Sequence, residues 1–340
     1  MSEHDLAATA QAMVAPGKGV LAADESVATI SKRFAALGIE STFETRRQYR
    51  ELLLTAPDIS SYVSGVILYD ETLRQGLTDG TPFADVLNKS GIFPGIKVDT
   101  GAKVLAGAPG ETITEGLDGL RERIAEYVDL GARFAKWRAV ITIADDGRPT
   151  RNAIATNAHA LARYAALCQE GGLVPIVEPE VLMDGDHSIE RSYEVTTETL
   201  RVVFGELADQ GVTFEEMVLK PSMVIAGKKA ARQAGVQEVA EQTLRCLLNT
   251  VPASLPGVAF LSGGQSADVA TAHLNAMSKI GPLPWALSFS YGRALQDPAL
   301  ATWKGDPGNV EAAQKALYHR VRLNGIARSG DYTPEMEAAA

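Results

Sequence analysis

Two hydrophobic rhythms alternate along the chain. Short apolar or β-branched runs recur at roughly regular spacing: GKGVLAAD (17–24), SGVILYD (64–70), GIKVD (95–99), RFAKWRAV (133–140), LVPIVEPE (173–180), MVLKPSMV (217–224), GVAFLSGG (257–264) and PWALSFSY (284–291). Runs of this length and make-up predict eight strands. Between them lie longer segments whose apolar residues follow the helical period. RNAIATNAHALARYAALCQEGG places Ile154, Leu161, Tyr164 and Cys168 largely on one face and stops at Gly171 and Gly172. STFETRRQYRELLLTA opens with a capping-box pattern, Ser41 and then Glu44 three residues on. SIERSYEVTTETLRVVFGELADQG, QEVAEQTLRCLLNTVP and, after the eighth run, NVEAAQKALYHRVRLNGIARSG repeat the theme.

Strand and helix signals that alternate imply parallel strands with helical crossovers. Eight such units in 340 residues suit a closed (β/α)8 TIM barrel, class α/β, better than an open doubly wound sheet. No composition shift or Pro/Gly/Ser linker divides the chain, so a single barrel domain over 1–340 is expected. Residues 1–16 read as an N-terminal extension. The end, SGDYTPEMEAAA (329–340), reads as a mobile C-terminal tail.

Barrel enzymes carry their chemistry at the C-terminal ends of the strands, so the position of each ionisable residue within its run is informative. The first run ends at Asp24, the third carries Lys97 and Asp99, and the fourth carries Lys136 and Arg138. The fifth ends with Glu178 and Glu180, and the sixth contains Lys220. Residues two apart on a strand share a face, so each of the three pairs can point the same way. One such charge is usually a solvated rim residue. Charges of both signs on five of the first six runs make a mixed-charge site, where pKa values are expected to move.

The last two runs carry a different signal. FLSGGQS (260–266) and FSYGRAL (289–295) each place glycine and a small hydroxyl just past the strand, where barrel enzymes often bind phosphate through backbone N–H groups. Ser262, Gly263, Gly292 and Arg293 fit such a cradle, with the arginine able to grip an anion bidentately. A second anion site can form from Ser26, Thr29 and Arg33 after the first run, with Lys97 nearby. The competing reading there is a helix N-cap and a surface arginine.

Composition narrows the partners. A net charge of −10 argues against a nucleic-acid surface or an anionic membrane as the main partner, while leaving room for an anionic small substrate at local cations. The N-terminus lacks the apolar core of a signal peptide, and no uncharged apolar run is long enough to span a bilayer. Cys168 and Cys246 make no disulfide framework, so a soluble, cytoplasmic protein is expected. The five histidines are scattered without metal-ligand spacing, and DGDH (184–187) reads as a turn, so no metal is expected. Neither a Walker-type loop nor a G-x-G-x-x-G follows the first strand, and no cofactor is expected.

Lys220 is the anomaly in this pattern, a lysine inside an apolar run. A lysine amine is a nucleophile only when neutral, and both desolvation and a neighbouring cation favour that form. Lys136, two strands away, is the candidate cation. A neutral lysine attacking a ketone gives a Schiff base, an electron sink for breaking the adjacent carbon–carbon bond. Such a cycle needs carboxylates to move protons, and Glu178, Glu180 and Asp24 are available.

GKGVLAADES, GVILYDETL, GIKVD, FAKWR, VPIVEPE, LKPSM, FLSGGQS and WALSFSYGRAL, in this order, resemble the class I, Schiff-base fructose-bisphosphate aldolases. The resemblance runs from about Gly17 to Tyr332. It implies that Lys220 is the Schiff-base lysine and that Glu178 is the acid/base for the imine. Asp24 would help deprotonate the C4 hydroxyl with Lys136 as its electrostatic partner, and Glu180 would support the lysine site. Ser262, Gly263, Gly292 and Arg293 match one phosphate site, Ser26, Arg33 and Lys97 the other, and Arg138 lines the cleft.

The implied reaction is metal-independent cleavage of fructose 1,6-bisphosphate to dihydroxyacetone phosphate and glyceraldehyde 3-phosphate, in glycolysis and gluconeogenesis, by a homotetramer. Alternatives are the same chemistry on sedoheptulose 1,7-bisphosphate or fructose 1-phosphate, or a secondary scaffold role. Animal members end in a mobile tail whose terminal tyrosine helps protonate the enamine. Tyr332, the last tyrosine here, matches a position before that tail, so the resemblance assigns no donor. Thr29 and Ser222 replace an expected serine and asparagine.

Overall fold

A computed structural model describes residues 5–338. Its strands, in chain order, are β1 (Gly19–Ala23), β2 (Val63–Leu68), β3 (Phe93–Lys97), β4 (Gly101–Val104), β5 (Thr112–Glu115), β6 (Phe134–Ile141), β7 (Val174–Val181), β8 (Val218–Leu219), β9 (Gly257–Phe260) and β10 (Ala286–Tyr291). Among the described residues, eight of these close into a parallel barrel in the order β1-β10-β9-β8-β7-β6-β3-β2. Each expected run supplies one barrel strand, and helices follow the strands as crossovers. The fold is the (β/α)8 TIM barrel.

Packing explains why the strands are nearly continuous in apolar character. One set of side chains fills the barrel, with Val20, Ile67, Phe134, Val174, Ile176 and Val218 buried together. The opposite set packs under the helices, where Ile154, Leu161, Tyr164 and Cys168 of the helix Arg151–Glu170 are all buried. The Phe134 ring needs flat neighbours. A Cβ on Gly65 would lie 2.8 Å from the ring, and one on Gly95 would overlap it outright.

The N-terminal extension has a specific place. Helix Leu6–Met13, capped by Asp5, buries Leu6, Ala10 and Met13 in the same cluster as Phe134 and so covers the barrel's floor. The Arg328 guanidinium donates there to the carbonyls of Val14, Ala15, Lys18 and Leu287.

Three local features differ from the sequence expectation. The sixth run is a strand only at Val218–Leu219, because Pro221 has no N–H to continue the ladder. Lys220 N–H still donates to the Val177 carbonyl at 2.8 Å, so the lysine remains in register. The helix Phe43–Leu54 begins one residue later than its signal. Its capping box is Thr42 with Thr45, while Glu44 pairs with Arg47 instead. The hairpin β4–β5 was not anticipated.

The segment read as a mobile tail packs against the body over its described part, 329–338. Tyr332 is 4% exposed, its N–H donates to Asn275 Oδ1, and its hydroxyl donates to Glu337, which pairs with Arg320. Residues 339–340 of that segment, and 1–4 of the extension, lie outside the described residues.

Candidate active site

A cavity of about 450 Å³ opens at the C-terminal ends of the barrel strands. Asp24 follows β1, Lys97 ends β3, Lys136 and Arg138 lie on β6, Glu178 and Glu180 on β7, and Lys220 follows β8. Ser262 and Gly263 follow β9, and Gly292 follows β10 ahead of Arg293. Every site residue expected from the sequence lines this cavity, Ser26, Thr29 and Arg33 included.

Four charges form a chain across its floor. Lys220 Nζ lies 3.1 Å from Glu178 Oε1, and the other oxygen of Glu178 lies 3.2 Å from Lys136 Nζ. Lys136 Nζ in turn lies 2.7 Å from Asp24 Oδ2. All four side chains are almost fully enclosed, Asp24 being the most open at 15% exposed. The two lysines are unequally partnered: Lys136 touches two carboxylates and Lys220 one.

Enclosure alone would neutralise these groups, and mutual charge opposes it. Burial pushes the Asp24 carboxyl up, but Lys136, Lys220 and Lys97 outweigh it and hold the group well below the usual carboxylate range. Burial likewise raises Glu178, and Lys136, Lys220 and Arg138 bring it below its ordinary value. Burial disfavours the Lys136 ammonium, yet Asp24, Glu178 and Asp99 raise its pKa well above that of a free lysine. Lys136 is thus a fixed cation between two fixed anions.

Around this chain the remaining charges pair in order. Arg138 grips Glu180, and strand register sets Arg138 opposite Glu178. Lys97 Nζ binds Asp99 at 2.6 Å, and Asp99 also accepts from the Arg138 and Gly101 N–H groups. Ser222, beside the lysine, donates its hydroxyl to the Val181 carbonyl at 2.9 Å, which ties the end of β8 to β7.

The two anion sites differ in readiness. At the first, Gly263 and Gly264 have φ of +58° and +84° in succession, conformations that glycine adopts freely. Gly292 stands at the N-terminus of the helix Arg293–Trp303, whose first N–H groups have no intrahelical acceptor. At the second, Ser26 Oγ caps the helix Val27–Ala35 by accepting from Thr29 N–H, as the competing reading held. Arg33 is already engaged by Glu25 and by Asp297, the latter at 2.6 Å.

Glu25, which lines the cavity, and Arg50, paired with it from behind, are charged residues that the sequence reading missed. Arg50 is 2% exposed and lies 2.9 Å from Glu25 Oε2, while Gln296 holds Glu25 Oε1 and the Ala22 carbonyl. Glu25 directly follows Asp24 in ADES, but a second carboxylate there carries no local sign of burial. Arg50 sits in a helix with no local mark of its role.

Among the described residues no helix is long and apolar enough to cross a membrane. A family model described as class-I fructose-bisphosphate aldolase, glycolytic, matches residues 5–340. A probable class 1 fructose-bisphosphate aldolase of Xanthomonas campestris is 62% identical over 333 residues, covering 98% of this chain and 99% of the relative. The fructose-bisphosphate aldolase of Dictyostelium discoideum is 53% identical, covering 97% of this chain and 93% of the relative. In three dimensions the fructose-bisphosphate aldolase of Plasmodium falciparum superposes with a TM-score of 0.95 at 49% identity, over 96% of this chain and 95% of that one. The chain belongs to the class I fructose-bisphosphate aldolase family, and with it to the carbon–carbon lyases.

Proposed function

We propose that the protein cleaves fructose 1,6-bisphosphate reversibly through a Schiff base on Lys220. The observation that carries this is the asymmetry of the two buried lysines. Lys136 is locked between Asp24 and Glu178, whereas Lys220 has Glu178 alone. Lys220, which touches one carboxylate and lines the cavity, is the amine placed to attack a bound ketone. Glu178, ionised and 3.1 Å away, is the base in reach.

In the proposed cycle Glu178 takes a proton from the protonated Lys220 amine and delivers it to the C2 oxygen as the nitrogen bonds to the C2 carbon. It next takes a second proton from the nitrogen of the carbinolamine so formed. Glu178 then returns that proton to the carbinolamine hydroxyl, which leaves as water, and an iminium remains. Asp24, held ionised by Lys136, draws the proton from the C4 hydroxyl. The C3–C4 electron pair flows into the iminium, releasing glyceraldehyde 3-phosphate and leaving an enamine. Protonation at C3 and addition of water release dihydroxyacetone phosphate and restore Lys220. Glu180, paired with Arg138, fixes the cleft wall beside Glu178.

The C1 phosphate belongs in the cradle of Ser262, Gly263, Gly292 and Arg293. The Leu261 N–H donates to the Pro221 carbonyl, tying that loop to the residue after Lys220. The distal phosphate belongs with Ser26, Thr29, Arg33 and Lys97, where it must displace carboxylates already bound to the cations. A bisphosphate is therefore expected to outperform fructose 1-phosphate, as a comparison of kcat/KM reads directly. A homotetramer is part of the same reading, tested by sedimentation.

Borohydride added with dihydroxyacetone phosphate should trap one covalent adduct on Lys220, located by peptide mass, and a chelator should leave activity unchanged. An adduct on another lysine, or full loss of activity with chelator, would sink the mechanism.

A further inference from the structure

Beyond the cradle residues already named, a second cation stands over the same glycine turn. A Cβ built on Gly264 would lie 2.9 Å from Lys228 Nζ and 3.2 Å from Arg293 Nη2. Two positive head groups therefore converge on one point beside Gly263, and Gly264, with φ of +84°, presents only backbone there. Among the described residues the Arg293 guanidinium has no hydrogen bond or ion pair within the chain. Lys228 has one partner, Asp184, at 3.3 Å, itself 66% exposed. Like charges this close repel unless an anion joins them.

Lys228 is not there by the chance swing of a surface side chain alone, because its backbone is fastened. The loops after β7 and β8 are laced by Gly227 N–H to the His187 carbonyl, Lys228 N–H to Met183 and Lys229 N–H to Gly185, each at 2.8 to 2.9 Å. Gly227 makes the lacing possible, since a Cβ at that position would meet the Gly185 carbonyl oxygen at 2.5 Å. The lysine is thus held on the rim facing the turn after β9.

We propose that Lys228 is a further phosphate-binding residue of this site, acting with Arg293 on the sugar phosphate, and that Asp184 holds it when the site is empty. Phosphate monoesters approach two negative charges near neutral pH. One arginine answers one of them, and Lys228 answers the second. Asp184 competes with the ligand for the same amine, so it weakens binding.

The inference rests on the assignment of the cradle above, and one experiment separates the two. Borohydride trapping is titrated with dihydroxyacetone phosphate, and inorganic phosphate is titrated as an inhibitor of bisphosphate cleavage. Lys228→Met should raise both half-effect concentrations roughly fivefold to tenfold, with kcat falling by less than KM rises. Lys228→Arg should restore them to within about twofold of the parent. Asp184→Asn should shift both the other way, to lower concentrations. If Lys228→Met leaves both titrations unchanged while Arg293→Met weakens them, the role of Lys228 is overturned and the cradle stands. If Arg293→Met also changes nothing, or no adduct forms on Lys220 in the parent, the cradle assignment fails and Lys228 fails with it.

Discussion

Lys136 and Lys220 have the same side chain and almost the same enclosure, and they differ in what they touch. Lys136 lies within ion-pair distance of Asp24 and Glu178; Lys220 reaches Glu178 alone. Their proposed roles, electrostatic clamp and nucleophile, follow from that count of carboxylates. Glu178→Gln keeps the shape but removes the proton shuttle, and kcat should fall by about 10²–10⁴-fold, measured by coupled assay of triose phosphate. Lys136→Met should separate two steps. The adduct of dihydroxyacetone phosphate on Lys220 should still form, while bond cleavage falls by at least about 10²-fold, because Asp24 loses the cation that keeps it a base. Equal loss of trapping and cleavage would contradict that division. At this scale the candidate residues were legible, since charges at strand ends stand out against apolar runs. Glu25 and Arg50 were not, since a carboxylate next to Asp24 and an arginine in a helix look like ordinary surface charge until burial is known.

Strands and helices were legible to the extent that burial dictates their pattern. The hairpin β4–β5 was missed because it is an arm, largely outside the core. Val104 is 76% exposed and GAKV carries no buried stripe to read. The capping box shifted from Ser41 to Thr42 because hydroxyls at 41, 42 and 45 all offer caps; Ser41 Oγ is instead bonded to Ser31 at 2.6 Å. Inside the barrel, the constraint falls on glycine. Gly95→Ala would press a methyl into the Phe134 ring and should cost about 1–3 kcal/mol, read as a lower denaturation midpoint. Phe134→Leu in the same chain should recover part of the loss, since the two positions share one space.

The molecule as a whole should lose stability in mild acid through its buried histidines. His273 is enclosed, and burial brings its pKa down to about 4 from the ordinary 6.5. The unfolded chain therefore takes up a proton as pH falls through 6.5, while the folded chain does not until about 4. The stability associated with neutral His273 is fully present above pH 6.5 and is lost as pH falls through that window. Its full size is of order 3 kcal/mol, at about 1.4 kcal/mol per pKa unit. His187 contributes with the same sign. Thermal melts from pH 7 to pH 4 should fall less steeply for His273→Asn than for the parent; parallel curves would show that His273 does not titrate this way.

The sequence by itself determined the alternation of strand and helix, the eight-fold count and the residue types at the strand ends. Those properties are written in local periodicity, which burial imposes residue by residue. Tertiary structure decided which amine shares which carboxylate and that Lys228 and Arg293 meet over Gly264. It also decided that the expected tail packs through Tyr332 and Glu337. These depend on groups far apart in the chain coming within a few ångströms when the barrel closes, and no local pattern encodes a distance of that kind.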